Sequence, residues 1–390
     1  MSDIEVGVIG TGFAASSHID ALQRLPRVHV AAIAGSSQDK ADAAARRFNL
    51  GAGFGDYRSL LDDDSIEVVH NCTPNDLHAE INAAVIDAGK HLLSEKPLAL
   101  DSRQTAALTR AASSSPLVTA VCFNYRHYPL VRQAKSMLAS GTYGRTHFVH
   151  GGYLQDWLLH EDDWNWRLDS VRAGASRAVA DIGSHWIDLV QYVTGERVQS
   201  VFADLTTLHP ERARPAGEVE TFARSGSDTS ERVRIHTEDF GTIALRFASG
   251  ARGALNVSQV SPGRKNHLHW EIDTSHAAFG WDQEEPNRLW IGRRDEANTE
   301  LVRDPSLLVP EAAALTHFPG GHQEGWPDGL RNLFIDTYSA IEARARGRTY
   351  EPSFATFADA HQVTLTVEAI VASSRSGTWI DVTANREVGA

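Results

Sequence analysis

Short apolar runs alternate with segments of helical period over the first 120 residues of the chain. The runs IEVGVI, VHVAAI, IEVVHNC, HLLS and PLVTAVCF each have the length of a strand. Between two of them, HAEINAAVIDAGK places Ile81, Ala84, Val85 and Ala88 at helical spacing, and Gly89 ends the pattern. The alternation predicts a doubly wound parallel sheet with crossover helices.

The pattern changes after residue 123. RTHFVHGGYLQ, GTIALRFA, GALNVSQV and HLHWEI alternate apolar and polar positions, which is typical of an antiparallel sheet with one covered face. Helical patterns cover 182–194 and 330–345. We therefore predict an α/β domain over 1–123 and an α+β domain over 124–390, in which the polar stretch 209–233 is a surface excursion.

Composition narrows the class of protein. A chain of 390 residues with 42% hydrophobic content can bury a large core in two domains. The net charge of -13 argues against nucleic acid and anionic membranes as partners. MSDIEVGVIG lacks the features of a signal peptide, and Cys72 and Cys122 lie in apolar runs, which predicts free thiols and a cytoplasmic location.

Candidate chemistry begins at GVIGTGFAA. Gly10, Gly12 and Ala15 match the G-x-G-x-x-G/A fingerprint, directly after a predicted strand and at the start of a predicted helix. Such a turn presents backbone N–H groups and a helix N-terminus to a pyrophosphate. We predict dinucleotide binding here, with Phe13 and Ala14 in the same turn.

The second predicted strand ends in AIAGSSQDK, where the nucleotide ribose is expected. Gly35, Ser36 and Ser37 offer neither the carboxylate of a typical NAD site nor the arginine of a typical NADP site. Serine hydroxyls and Lys40 are the candidate contacts to this part of the cofactor. NAD is favoured and NADP stays open.

Two more predicted strands end in candidate cofactor-binding turns. Ligands of doubly wound sheets bind at the carboxyl edge, where HNCTPNDLH and SEKPLAL both fall. The predicted cofactor contacts from these turns are Cys72, Thr73, Pro74, Asn75, His78, Glu95 and Lys96.

Six motifs in order give the chain a family resemblance. GVIGTGFAA, TPNDLH, EKPLAL, FNYRHYP, DIGSHWIDL and DAHQVTLTVEAIVASSRSGTWIDV resemble the glucose-fructose oxidoreductase, inositol dehydrogenase and rhizopine-catabolism (Gfo/Idh/MocA) family. The resemblance implies a Rossmann domain followed by a domain with a large open, mostly antiparallel sheet. It also implies an NAD(P)-dependent oxidoreductase that forms a dimer or tetramer. Apolar residues such as Leu255 and Val257 are expected on the outer face of that sheet, where another subunit would cover them.

The motif DIGSHWIDL supplies a candidate base. If its helix begins near Asp181, then Asp181, His185 and Asp188 share one face. A neutral imidazole can accept a proton from a hydroxyl, so we predict His185 as the base, while Asp181 holds either the imidazole or a substrate hydroxyl.

The resemblance adds the roles of the E-K-P turn. It implies that Lys96 lies between the nicotinamide and the substrate, where its ammonium group steadies charge on the reacting oxygen. It further implies that Glu95 helps to hold the cofactor, that Pro97 follows a cis peptide bond, and that Lys96, Asp181 and His185 form the catalytic triad.

The substrate region is predicted around YLQDWLLHEDDWNWRLD, where tryptophans stand among charged groups. Flat apolar faces beside fixed polar groups suit a sugar ring, although core or subunit-interface packing explains the tryptophans equally well. The resemblance places Trp166 and Arg167 near the nicotinamide and Arg126 near the substrate. The predicted substrate contacts are Lys96, Tyr125, Arg126, Asp156, Trp166, Asp181, His185 and His322.

We therefore predict an NAD(P)-dependent dehydrogenase that oxidises a secondary hydroxyl of a sugar or cyclic polyol, and the family resemblance implies C3 of a pyranose or anhydrosugar. Inositol or polyol oxidation, hydride exchange between two sugars on a retained cofactor, and cofactor sensing without turnover remain open. HEDDW and HLH contain metal-ligand residue types without a closed set of spaced ligands, so no metal is expected.

Overall fold

A computed structural model describes residues 3–216 and 230–382, and the chain divides into two compact units. The first is Met1–Asn124 with Trp326–His361, and the second is Tyr125–Gly325 with Gln362–Ala390. The division differs from the predicted one, which gave everything after residue 123 to the second domain. The difference has a physical cause, because Trp326–His361 contributes Leu330, Leu333, Phe334, Tyr338 and Phe354 to the core of the first unit.

The first unit contains a parallel sheet in the order β3-β2-β1-β4-β5-β6, which confirms the doubly wound fold. Its strands are β1 (Ile4–Ile9), β2 (Val28–Ala34), β3 (Ala52–Phe54), β4 (Val68–Asn71), β5 (His91–Ser94) and β6 (Thr119–Val121). Strand β1 pairs with both β2 and β4, so the strand order reverses there. Ligands of such sheets bind at this switch point, beyond the carboxyl ends of the strands.

Five helices follow these strands, namely α1 (Phe13–Gln23), α2 (Gln38–Phe48), α3 (Tyr57–Leu61), α4 (Asn75–Asp87) and α5 (Ser102–Ser113). Side chains cap the starts of three of them: Ser37 accepts the Lys40 N–H at α2, Asp56 caps α3 and Asp101 caps α5. Helix α1 begins after Gly12 without a side-chain cap. A helix start without a side-chain cap can offer its first N–H groups to an external acceptor.

The second unit contains a sheet in the order β16-β15-β14-β13-β7-β12-β11-β8-β17. All its neighbouring strands are antiparallel except β7 and β12, which confirms the mostly antiparallel sheet. The strands of this unit, with the separate pair β9 and β10, are β7 (Thr146–Leu154), β8 (Val198–Thr206), β9 (Glu211–Pro215), β10 (Ser230–Arg234), β11 (Phe240–Phe247), β12 (Arg252–Ser258), β13 (His267–Thr274), β14 (Ala278–Asp282), β15 (Arg288–Gly292), β16 (Thr299–Val302) and β17 (Ile380–Asp381).

The prediction that Leu255 and Val257 lie on the outer face of this sheet is wrong. Both are buried, because alternate residues of a strand point to opposite faces and these two lie on the covered one. The opposite face carries Phe202 and Trp290, which are 38% and 36% exposed. A continuous row of paired residues joins those two side chains across the strands.

The polar stretch 209–233, predicted as a surface excursion, is mostly exposed or half-buried over its described ends. Its two ends form the antiparallel pair β9 and β10. Arg212, on β9, is completely buried because it extends into a cluster of charged side chains. Residues 217–229 lie outside the described part of the chain.

The helices of the second unit and of the carboxyl-terminal part are α6 (Pro129–Ala139), α7 (Ser170–Ala173), α8 (Ser184–Thr194), α9 (Pro310–Ala313), α10 (Trp326–Ala345) and α11 (Phe357–Ser376). A π-helical turn, Val179–Gly183, leads directly into α8, and Gly195 ends that helix with φ +72°. Among the described residues, no helix is long and apolar enough to cross a membrane.

Candidate active site

The fingerprint turn between β1 and α1 has the shape that a pyrophosphate needs. Gly10 has φ +113°, and a Cβ there would lie 2.5 Å from the carbonyl oxygen of Cys72, so only glycine fits. At Gly12 no heavy atom lies within 4 Å of the position of a Cβ, which leaves open space before the uncapped start of α1. Ala15 is completely buried in the core, where it allows close packing of α1 on the sheet.

The predicted ribose contacts lie on the surface after β2. Ser36, Ser37 and Lys40 are exposed, and the Ser37 hydroxyl accepts the Lys40 N–H at 3.3 Å. Gly35 lies in a close approach, because a Cβ there would be 3.0 Å from the Ala41 nitrogen. This arrangement leaves the Ser36 and Lys40 side chains on the exposed side of the turn.

The turns after β4 and β5 are linked through His78. The buried imidazole of His78 lies 2.8 Å from the carbonyl oxygen of Thr73 and 2.6 Å from that of Pro97. Burial lowers the pKa of His78. The bond between Lys96 and Pro97 is cis, as the family resemblance implies. His78 therefore lies between the two turns from which cofactor contacts are predicted, and a neutral imidazole can donate to one of these carbonyls at a time.

Glu95 lies at the end of a chain of hydrogen-bonded side chains, which we call the histidine chain: Glu95, His18, His70 and Tyr338. His18 Nε2 lies 3.1 Å from Glu95 Oε1, the two Nδ1 atoms of His18 and His70 are 2.9 Å apart, and His70 Nε2 lies 3.0 Å from the Tyr338 hydroxyl. The other oxygen of Glu95 accepts the Lys96 N–H at 3.0 Å. The chain therefore reaches the backbone of the E-K-P turn.

With both imidazoles neutral, one direction of donation satisfies every contact in the histidine chain. Tyr338 donates to His70, His70 donates to His18, and His18 donates to the Glu95 carboxylate. Burial by itself would raise the pKa of Glu95, but His18 and Lys96 lower it to about 2. Burial lowers the pKa of His70 and raises that of Tyr338. Sequence reasoning missed His18 and Tyr338, although each is a polar side chain at a core-facing helical position.

The second unit carries the other predicted catalytic groups. Asp181 lies in the π turn, and the 8% exposed His185 lies in the first turn of α8. The predicted helix starts near Asp181, whereas the helical backbone begins earlier, at Val179, with a wide turn that a period of about 3.6 residues does not reveal. The His185 ring lies edge-on to the Tyr125 ring, with centroids 5.0 Å apart.

Both carboxylate oxygens of Asp181 accept hydrogen bonds within this unit. Arg167 Nε donates to Oδ1 at 3.2 Å, and Gln259 Nε2 donates to Oδ2 at 3.0 Å. The Arg167 guanidinium also stacks on the Trp166 ring, 4.6 Å from its centroid. The structure therefore brings three predicted site residues, Trp166, Arg167 and Asp181, into direct contact.

Asp188, on the predicted polar face of the helix, forms a buried ion pair with Arg126. Arg126 Nε donates to Asp188 Oδ2 at 2.7 Å, and the two side chains are 7% and 2% exposed. The prediction of Arg126 as a substrate contact stays untested. Its engaged guanidinium favours a structural role at the start of the second unit, next to Tyr125.

The other predicted substrate residues have different surroundings. Asp156 Oδ2 accepts from Lys265 Nζ at 2.7 Å, and the Tyr125 hydroxyl lies 2.8 Å from that of Tyr153. Trp164 is buried in a small apolar cluster, so its role is packing. His322 lies exposed on its loop, and its backbone carbonyl accepts from buried Arg303.

A buried group of charges, which we call the arginine cluster, consists of Arg177, Arg212 and Asp239. Each is at most 1% exposed. Arg212 Nη2 donates to Asp239 Oδ1 at 2.8 Å, and Arg177 forms an ion pair with the same carboxylate. Burial by itself would raise the pKa of Asp239, but Arg177 and Arg212 lower it. Sequence reasoning missed this cluster because its members are distant in the sequence.

The HLH motif lies outside these groups. His267 Nδ1 is 3.2 Å from Asp282 Oδ2 and 3.5 Å from Glu284 Oε2. His267 lies on β13 and Asp282 ends β14, with Glu284 two residues further on, so the fold brings these three side chains together. The expectation of no metal stays a prediction.

A glycine turn at the switch point of a doubly wound sheet, open in front of an uncapped helix, is typical of dinucleotide-dependent oxidoreductases. Comparison with known proteins identifies the family. Residues 4–123 match the model for an oxidoreductase family with an NAD-binding Rossmann fold, and residues 131–280 match the GFO/IDH/MocA C-terminal domain. The chain belongs to the Gfo/Idh/MocA family of oxidoreductases, and its cofactor is NAD.

Several relatives are similar over most of the chain. Levoglucosan dehydrogenase of Pseudarthrobacter phenanthrenivorans is 33% identical, over 98% of this chain and 99% of that protein. A solved structure of levoglucosan dehydrogenase with NADH and levoglucosan has a TM-score of 0.86 at 31% identity, covering 97% of this chain and 99% of that one. Myo-inositol 2-dehydrogenase of Thermotoga maritima is 25% identical, over 79% of this chain and 78% of that protein.

Proposed function

We propose that this protein is a dehydrogenase that oxidises the C3 hydroxyl of a pyranose or anhydrosugar, with levoglucosan as the first candidate. The similarity to levoglucosan dehydrogenase over 98% of the chain carries the proposal, since it covers the sequence of both units. The chain also has a lysine, an aspartate and a histidine at the positions that the family resemblance assigns to catalysis, which are Lys96, Asp181 and His185.

The first unit supplies the residues that would hold the cofactor. The open turn at Gly12 and the start of α1 suit the pyrophosphate, Ser36, Ser37 and Lys40 the ribose, and the turns joined by His78 the nicotinamide end. When bound, NAD accepts the hydride that leaves the substrate carbon.

The remaining chemistry is the movement of one proton. We assign its acceptance to His185, whose imidazole takes the proton of the substrate hydroxyl as the C–H bond breaks. Lys96 donates a hydrogen bond to the same oxygen and stabilises its negative charge. Asp181 is held by Arg167 and Gln259, so its carboxylate presents fixed acceptor lone pairs to the imidazole or to a neighbouring substrate hydroxyl.

Substrate contacts are assigned to Tyr125, Asp156, Trp166 and His322. Trp166 offers a flat face stiffened by the stacked Arg167, and Tyr125 and Asp156 offer fixed polar groups. An apolar face with oriented polar groups at its rim is suited to a sugar ring.

The test is NADH formation by the purified protein with NAD and a panel of levoglucosan, glucose, xylose and myo-inositol. Levoglucosan deuterated at C3 should give slower turnover and deuterated NADH, whereas substrate deuterated at C2 should give neither. Label transfer from C2 would contradict the assigned carbon. NADH binding without turnover on any sugar would indicate a sensor, and cofactor that survives dialysis would indicate exchange between two sugars.

A cyclic polyol is the second candidate substrate. The similarity to myo-inositol 2-dehydrogenase over 79% of this chain favours a cyclic polyol over hydride exchange between two sugars and over cofactor sensing. The same panel separates the two candidate substrates, because an inositol dehydrogenase would turn over myo-inositol in preference to levoglucosan.

A further inference from the structure

We infer that Gln259 is a positioning residue that fixes Asp181 as a hydrogen-bond acceptor, with its own orientation dictated by the arginine cluster. The inference rests on the proposed function, since it concerns the aspartate assigned to that reaction. Gln259 follows β12 directly and is completely buried. No motif of the sequence distinguishes it.

The orientation of the Gln259 amide follows from the chemistry of its neighbours. Arg177 Nη1 lies 3.0 Å from Gln259 Oε1, and a guanidinium group can only donate hydrogen bonds. The amide oxygen must therefore face Arg177, and the amide nitrogen must face Asp181 Oδ2, 3.0 Å away. The amide nitrogen of Gln259 can only donate, so Asp181 Oδ2 must accept this hydrogen bond and cannot carry a proton.

The arginine cluster fixes Arg177 in turn. Its guanidinium pairs with Asp239, which also binds Arg212, and all three side chains are buried. The backbone N–H groups of Arg177 and Val179 donate to the buried carboxylate of Glu238 at 3.0 and 2.9 Å. These contacts anchor the segment that continues into the π turn, and the Asp181 N–H in turn donates to the Arg177 carbonyl oxygen at 2.7 Å.

Arg167 holds the other oxygen of Asp181 from a different element. With one donor on each oxygen, rotation of the carboxylate breaks at least one hydrogen bond. A misplaced group at a reacting centre costs turnover rather than substrate binding, and a displacement of 1 Å is associated with losses of about 100-fold. Gln259 is therefore expected to act on kcat more than on KM.

Two substitutions at this position distinguish positioning from packing. Gln259→Glu keeps the shape and the acceptor for Arg177 but sets a second carboxylate against Asp181. Gln259→Met keeps only the length and removes both polar contacts. If Gln259 merely fills space, the glutamate variant is the milder one because it is closest in shape. If it positions Asp181, the glutamate variant is the more damaging, since acceptor then faces acceptor.

The experiment measures kcat and KM for the sugar that the wild-type protein oxidises. We expect Gln259→Met to lower kcat about 10- to 100-fold with little change in KM, and Gln259→Glu to lower it further. Gln199→Glu is the matched control, because Gln199 is exposed on β8 of the same unit, and its activity should equal that of the wild type. A glutamate variant as active as the methionine variant, or more active, overturns the inference.

Two further measurements keep the inference testable. If Gln259→Glu does not fold, the double variant Gln259→Met, Asp181→Asn provides the test. Gln259→Met should lower kcat no further once the Asp181 carboxylate is absent. A loss of kcat as large as in the wild-type background overturns the inference. If the wild type oxidises no sugar, the proposed function fails separately. The carboxyl ¹³C signal of Asp181, assigned with Asp181→Asn, then reports the contact; a signal that moves in Gln259→Met supports it, and an unchanged signal overturns it.

Discussion

The two units support their predicted catalytic groups with opposite kinds of chemistry. In the first unit the E-K-P turn rests on the histidine chain, in which imidazole and phenol groups pass hydrogen bonds to Glu95. In the second unit Asp181 rests, through Gln259, on the guanidinium and carboxylate groups of the arginine cluster. The support in the first unit depends on the direction of hydrogen bonds, and the support in the second unit depends on buried ion pairs.

The difference determines how each support fails. Losing a link between two neutral members of a hydrogen-bond chain costs about 1 kcal/mol net and leaves uncharged partners behind. Losing one partner of a buried ion pair leaves an uncompensated charge and costs about 3–5 kcal/mol. Damage to the arginine cluster should therefore destabilise the second unit, whereas damage to the histidine chain should mainly alter function.

The largest effect on turnover is expected at His185, the proposed base, which belongs neither to the histidine chain nor to the arginine cluster. His185→Ala should lower kcat by about 100- to 10,000-fold, the usual contribution of a general base, and leave NADH affinity close to that of the wild type. Steady-state kinetics and NADH fluorescence titration measure the two quantities. His276→Ala, at an exposed turn of the same unit, is the control. Near-normal turnover of His185→Ala would show that another group is the base.

Next in size is the loss of the carboxylate at the centre of the arginine cluster. Asp239→Asn leaves Arg177 and Arg212 without their buried counter-charge, and should lower the free energy of unfolding by about 3–5 kcal/mol. Urea unfolding followed by tryptophan fluorescence reports mainly on the second unit, because every tryptophan except Trp326 lies there. The exposed Asp204 provides a control, and a loss in Asp239→Asn no larger than that in Asp204→Asn would contradict the charge argument.

The two supports also differ in how well the sequence predicts the residues that form them. Gly10 and Gly12 are recognisable because a short local motif determines their backbone, and the E-K-P turn because a family motif marks it. The arginine cluster joins Arg177, Arg212 and Asp239 from separate segments, one of them inside a polar stretch with the composition of a loop. Long-range pairing of charges leaves no periodic signal, so the residues behind Asp181 become visible only in the fold.

The packing of Trp326–His361 on the first unit has a similar explanation. The helical pattern of α10 shows which of its residues are apolar, and Leu330, Leu333 and Phe334 are indeed buried. The pattern does not show which core they enter. Here the apolar face of α10 packs into the core of the first unit, whose other residues precede it by about two hundred positions in the chain. Local spacing does not encode this long-range packing.

Acidification should destabilise the first unit, because the imidazole of His91 accepts a hydrogen bond and must stay uncharged to do so. Val118 N–H donates to His91 Nδ1 at 2.9 Å, and burial, with Arg344, lowers the pKa of His91 to about 4. Between pH 6.5 and about 4 the unfolded chain binds the proton more readily than the folded one. The free energy of unfolding should therefore fall by up to about 3 kcal/mol as the pH drops through this range.

His91→Asn isolates this contribution, because an asparagine oxygen can accept the Val118 N–H and does not titrate. Protection of the amides of β5 and β6 against hydrogen exchange, relative to the unfolded chain at the same pH, should fall more on acidification in the wild type than in the variant. Equal pH dependence in the two proteins would mean that His91 takes up its proton without cost to the fold.

The smallest effects should decline along the histidine chain with distance from Glu95. His18→Phe removes the donor to the carboxylate and should lower kcat/KM for NAD about tenfold, whereas Tyr338→Phe, two links away, should cost about 1 kcal/mol of stability and leave kinetics nearly unchanged. His18→Gln, which restores a donor near Nε2, should recover part of the loss. In a Glu95→Gln background, His18→Phe should have almost no further effect, because the chain acts only through that carboxylate. If the two losses instead add in full, His18 supports the turn by packing, and the contrast between the two units narrows to the arginine cluster alone.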